Sequence, residues 1–102
     1  MARSRLELDE IFRELLGSNN VYFQPPASKQ MKYDAIVYSL DDVDAIHADN
    51  NAYLTNRRYT VTLITKNPDN WLVNKIAELP YSQFNRFYTA DNLNHYVFII
   101  YY

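Results

Sequence analysis

Apolar side chains recur along this chain in two rhythms. Between Ser4 and Leu16, the residues Leu8, Ile11, Phe12, Leu15 and Leu16 fall at i, i+3, i+4, i+7 and i+8, which is the stripe of an amphipathic helix. Ser4 and Glu7 have the spacing of a capping box at its start, and Gly17 followed by Asn19 and Asn20 supplies a left-handed exit. A second helix is predicted from Asn67 to about Glu78, with Asn67 as N-cap, Pro68 at the first position and Asp69 near the positive end of the dipole. It is expected to bury Leu72, Val73, Ile76 and Ala77, and Pro80 stops it.

The second rhythm is alternation, the mark of strands. It predicts a short strand at Val21-Tyr22-Phe23 ended by Pro25-Pro26, then strands at Tyr33 to Leu40, Tyr53 to Lys66, Gln83 to Tyr88 and His95 to Tyr102. Residues Asp41 to Ala52 are acidic and asparagine-rich and read as a long mobile loop, with Tyr53 opening a strand that projects as a hairpin arm. The order is α-β-β-β-α-β-β. It implies an α+β fold: one domain over residues 1–102, with a mainly antiparallel sheet of about four to five strands and two helices on one face.

Parity divides the sheet into unlike faces. Ile36, Tyr38, Tyr59, Leu63, Phe98 and Ile100 form a bulky set that can receive the helices, and Tyr96 and Tyr102 share their parity. Ala35, Val37, Thr60, Thr62, Val97 and Ile99 form a smaller, β-branched set, joined by His95 and Tyr101. That second face is too apolar to leave wet over its whole extent, and large exposed apolar patches mark interaction sites. The segment from His95 to Tyr102 is apolar on both faces and ends the chain. A second subunit is the expected cover, with the terminal carboxylate at an interface rim or facing a channel.

Composition narrows the function. At 102 residues and 48% hydrophobic, the chain has the size and apolar content of one folded domain. It shows no apolar run of membrane-helix length and no secretory signal, so synthesis in the cytoplasm is the default expectation. Having no cysteine, it cannot make disulfides, thiol nucleophiles or zinc–thiolate sites. A net charge of -2 argues against binding nucleic acid by bulk electrostatics. The single glycine, Gly17, leaves no phosphate-cradling loop, whereas ten tyrosines suit surfaces that are half apolar and half wet.

Candidate chemistry is sparse. Asp41, Asp42, Asp44, His47 and Asp49 form an acidic cluster, but the glycine and late glutamate of a looped calcium site are missing. The cluster reads as a solvated loop, or as a negative surface past which DNA slides without sticking. Two histidines, His47 and His95, cannot build a three-histidine zinc site. His95, beside Asp91 and Asn94, reads as a turn residue, and none of Ser4, Ser18, Ser28, Ser39 and Ser82 has a nucleophile-elbow context. The expectation is therefore no enzyme, no cofactor and no metal. Arg57 and Arg58 point to opposite faces of a strand and read as charges blunting an edge. Trp71 is off its helix stripe and is either a lid on the core or an interface anchor. Tyr101 and Tyr102 are core by default and become interface residues if the last strand lies at an edge. The candidate interface thus comprises Val37, Tyr53, Arg57, Thr60, Thr62, Trp71, Val97, Ile99 and Tyr101.

Three segments taken together carry a resemblance. They are Tyr22-Phe23-Gln24-Pro25-Pro26; Arg58-Tyr59-Thr60-Val61-Thr62 leading to Asn67-Pro68-Asp69; and Phe87-Tyr88-Thr89-Ala90-Asp91-Asn92-Leu93-Asn94-His95. With the order of elements, they make nearly the whole chain resemble the tail-terminator (tail-completion, head–tail joining) proteins of long-tailed double-stranded DNA bacteriophages. The resemblance implies a virion protein of the tail neck, made in the host cytoplasm, that assembles as a ring, commonly a hexamer. Its implied partners are copies of itself, the tail tube protein and the head connector or stopper protein, with DNA passing through the channel unbound. Such a ring caps the head-proximal end of the tail tube and ends its polymerisation. The alternatives are a head-completion or stopper protein one position nearer the capsid, and a non-viral module that accepts a peptide at a strand edge.

Overall fold

The apolar stripe of the first segment forms α1, Arg5–Leu16, in a computed structural model that describes residues 5–48 and 51–102, with the backbone alone at 44–48 and 51–56. Leu8 and Phe12 are fully buried, while Ile11, Leu15 and Leu16 are half-buried beside them. Gly17 takes φ +74° and donates its N–H to Arg13 O at 2.9 Å, the left-handed exit its sequence implied. The Ser4 cap lies outside the described residues.

Five strands follow: β1 Val21–Phe23, β2 Ala35–Ala48, β3 Asn51–Thr65, β4 Ser82–Ala90 and β5 Leu93–Tyr101, with α2, Leu72–Ala77, between β3 and β4. They make one sheet in the order β1-β2-β3-β5-β4, antiparallel at every pairing except β1 with β2. The fold is α+β with the element order read from sequence. Cross-strand partners align the bulky set: Ile36 faces Leu63, which faces Tyr96, and Tyr38 faces Val61, which faces Phe98. These side chains form one core with Leu8 and Phe12 of α1 and Leu72 and Ile76 of α2. Both helices therefore serve the same face of the sheet.

The loop expected over 41–52 is corrected at 41–48 and 51–52, which are strand; residues 49–50 lie outside the described residues. β2 runs on to Ala48, and the hairpin continues past the body of the sheet with Val43 opposite Arg57 and Ala48 opposite Asn51. Aspartate is a poor strand former, but a bulge between Leu40 and Asp42 places two aspartates against one arginine. Arg58 Nε lies 2.9 Å from Asp41 Oδ2, and Arg58 Nη2 lies 3.9 Å from Asp42 Oδ2. Asp49 lies outside the described residues, and so do the side chains of Asp44 and Tyr53.

The second helix is also shorter than expected. Residues 67–71 form a turn in which Asn67 Oδ1 accepts from the Asp69 N–H, and the helix begins only at Leu72, whose N–H donates to Asn70 Oδ1, both at 2.9 Å. Asn70 is held elsewhere as well, donating through Nδ2 to Asp34 Oδ2 and to the buried Thr65 Oγ1. That anchorage fixes the turn to the end of the sheet and delays the helix. Ala77 is exposed rather than buried.

The turn expected over Ala90 to Asn94 contracts to Asp91-Asn92, both with positive φ (54° and 63°). This is the backbone of a tight two-residue hairpin whose twist matches its strands. β5 then folds inward between β3 and β4, so the last strand is central and not an edge.

Candidate functional site

Helix α1 is pinned to the sheet by a small polar network. The Tyr38 hydroxyl donates to Asp9 Oδ2 at 2.6 Å and accepts from Arg5 Nη1 at 3.2 Å, while Arg13 Nε donates to Asp9 Oδ1 at 2.5 Å. Burial followed by the hydrogen bond to Asp9 pushes the Tyr38 hydroxyl up to about 12. Burial acts to raise the Asp9 carboxyl as well, but the bonds from Tyr38 and Arg13 and the charges of Arg13 and Arg5 together outweigh it and lower its pKa. Arg13 Nη1 also donates to Asn19 Oδ1 at 3.2 Å and Arg5 lies 4.3 Å over the Phe23 ring, so the network clamps α1 to β1 and β2.

On the opposite face of the sheet, the strand register brings most of the sequence-predicted interface residues together. Val37, Thr62 and Val97 lie in one row across β2, β3 and β5, and Thr60 pairs with Ile99 in the next. Tyr101 faces Arg58, which it hydrogen-bonds; that bond, with the nearby Asp41 carboxylate, keeps the Arg58 pKa above the usual arginine value. Five of these residues are half-buried, but Val97 is only 3% exposed and has little surface left to offer a partner. Two others stand apart. Arg57 alternates onto the face that carries Tyr59, and Trp71, 60% exposed, sits in the turn before α2 with Lys75 Nζ 5.8 Å from its ring.

Among the described residues, a row of exposed aromatic side chains lies elsewhere, on β4. This strand is a sheet edge, and every residue from Gln83 to Thr89 is exposed. Phe84 (53%), Phe87 (48%) and Tyr88 (39%) line it, and Tyr81 (79%) leads into it. Phe84 and Phe87 each touch the core by one side only, on Phe98 at 5.6 Å and on Tyr96 at 4.9 Å between ring centroids. Tyr88 stacks on His95 across the other face at 4.6 Å, with Arg86 5.2 Å from the Tyr88 ring. Helix α2 has six residues, about 9 Å at 1.5 Å per residue, and is too short to cover this margin. Aromatic rings thus flank both sides of an unpaired backbone edge.

No protein-family model and no curated protein matches the chain.

Alternation predicts a strand at Gln83 to Tyr88 but not its aromatic margin, because a register shift between Phe84 and Arg86 breaks the period and sets Phe84 and Phe87 on one face. The available signal was composition: three aromatics among polar neighbours in Ser82–Ala90. His95 is occupied by its stack and by Leu93 O, 3.2 Å from Nδ1. Among the described residues no group of three or more histidines and acids could hold a metal ion, and no helix is long and apolar enough to cross a membrane. What the arrangement offers is non-covalent contact: an open edge, aromatic anchors and a projecting hairpin.

Proposed function

We propose that this chain is a non-enzymatic structural subunit of a phage tail neck. It associates with copies of itself into a ring, commonly a hexamer, that caps the head-proximal end of the tail tube, ends tube polymerisation and joins the tail to the head connector. The observation that carries this reading is the nine-residue β4 edge with exposed aromatics on both of its faces. A long exposed edge strand with aromatic side chains is a pairing template, and large exposed apolar surface marks an interaction site. The phage placement rests on the three segments that resemble tail terminators.

Two measurements test the reading. Sedimentation of the purified protein over a wide concentration range should show a multiple of the subunit mass. Added to polymerising tail tubes, the protein should end their growth and appear by electron microscopy at one tube end. A chain that stays monomeric and never meets a tube end would sink the proposal. The same open edge favours one second reading, a module that takes an extended peptide as an added strand. That reading predicts peptide binding by a monomer.

A further inference from the structure

The β2–β3 hairpin leaves the body of the sheet in the same subunit that carries the open β4 edge. β1 pairs only with Ile36 to Tyr38 on β2, and on the other flank β5 pairs with β3 as far as Arg58, with the Tyr102 N–H donating to Arg57 O at 2.9 Å. Beyond these points the hairpin is a two-stranded ribbon among the described residues, running from Asp42 opposite Arg58 to Ala48 opposite Asn51. A lone two-stranded ribbon is marginally stable in water and gains from a third strand. Its own β4 is out of reach, because β3 and β5 lie between.

Charge identifies which side of the ribbon suits β4. The only charged residue of Ser82–Ala90 is Arg86. The β2 half of the ribbon, Asp42 to Ala48, carries two aspartates and no lysine or arginine, whereas the β3 half carries Arg57 and Arg58. Like charges face each other badly across strands. This disfavours the β3 half, and it equally disfavours β4 pairing with a second β4 about its centre, which would set Arg86 against Arg86. Such a self-pairing also closes at two subunits, whereas β4 against a ribbon joins unlike patches and extends head to tail. Lengths agree: at ~3.3 Å per residue the ribbon strand spans about 23 Å, within the roughly 30 Å of β4.

We propose that the open edge of β4 is the seat of a second copy of this chain, and that it takes the β2 side of that copy's hairpin as an added strand. The proposal rests on the self-assembly reading above and specifies its contact. Phe84, Phe87 and Tyr88 close over the added strand from both faces.

Two variants test it. In the first, residues 44–56 are replaced by Asn-Gly, which joins the paired residues Val43 and Arg57 by a two-residue turn and removes the ribbon. In the second, Asn85→Pro blocks the edge at the register shift, where an edge strand tolerates proline. Each variant alone should sediment as a monomer and melt in one cooperative transition, the first with a weaker strand signal because the replaced residues are strand. Mixed, they should form one-to-one pairs and nothing larger, since each supplies the half the other lacks. Amide hydrogen exchange on the unaltered chain gives a second readout: β4 and the β2 half of the ribbon should both slow on assembly, by tenfold or more. If the wild type assembles while the variants assemble equally well, or while β4 exchange does not slow, the contact is elsewhere and only this proposal fails. A mixture that stays monomeric while the wild type assembles overturns it too. A wild type that never assembles overturns the self-assembly reading along with it.

Discussion

The Asp9–Tyr38 pair ties the stability of the fold to pH from both ends. The lowered pKa of Asp9 in the folded chain makes its carboxylate contribution present above the ordinary value of 3.8 and lost as pH falls below it. Tyr38, raised to about 12 from 10.0, contributes below pH 10.0 and loses that contribution as pH rises toward 12. Urea midpoints measured from pH 2 to 6 should therefore fall on the acid side, and Asp9→Asn should flatten that fall while keeping an acceptor for the Tyr38 hydroxyl. Tyr38→Phe should cost about 1.5–3 kcal/mol, the worth of a hydrogen bond to a charged group. At Gly17 the cost of substitution lies in the backbone alone: an added Cβ would meet nothing within 4 Å, but φ is +74°. Gly17→Ala should lower stability by about 1 kcal/mol, read from thermal melts.

At the scale of elements, the hairpin of β4 and β5 depends on two consecutive left-handed residues, Asp91 and Asn92. Asparagine and aspartate tolerate this region better than other side chains, and glycine better still. Asn92→Gly should hold or raise the melting temperature, whereas Asn92→Val should destabilise by roughly 1–2 kcal/mol, because a β-branched side chain crowds the left-handed backbone. The same logic separates the two ends of α2. Its start depends on Asn70, whose carbonyl oxygen Oδ1 accepts from Leu72 while Nδ2 reaches Asp34 and Thr65. An element so short is held by tertiary contacts rather than by its own helix propensity.

For the whole molecule, stability and assembly draw on different surfaces. Tyr81 is 79% exposed and holds φ at +61°, an unfavourable conformation for a bulky side chain. It joins the other rings bordering the β4 edge. Tyr81→Gly should leave the isolated subunit at least as stable, because glycine adopts that backbone freely. The same change should weaken self-association, because it deletes an aromatic anchor from the open margin. Thermal melting and sedimentation on one sample read the two effects separately. Parallel losses in both would place Tyr81 in the fold of the subunit instead.

Helix α1, the Gly17 exit, the element order and the division of the sheet into a bulky and a small-residue face were legible in the sequence, because each is a periodicity carried by one continuous segment. Leu8 and Phe12 announce their face whatever lies opposite, and so do Tyr59, Val61 and Leu63. What only the tertiary structure decided depends on residues far apart in the chain. Asp41 and Asp42 look like loop residues until Arg58 is set across from them. Asn67 looks like a helix cap until Asn70 is tied to Asp34 and Thr65. The segment ending at Tyr102 reads as apolar on both faces, yet strand order sets it inside the sheet, with β3 and β4 pairing its two edges and α1 and α2 covering the face of Phe98 and Ile100. That order leaves β4 at the margin with its aromatic rings half-uncovered. No local pattern could show this, because an edge is a property of what fails to pair.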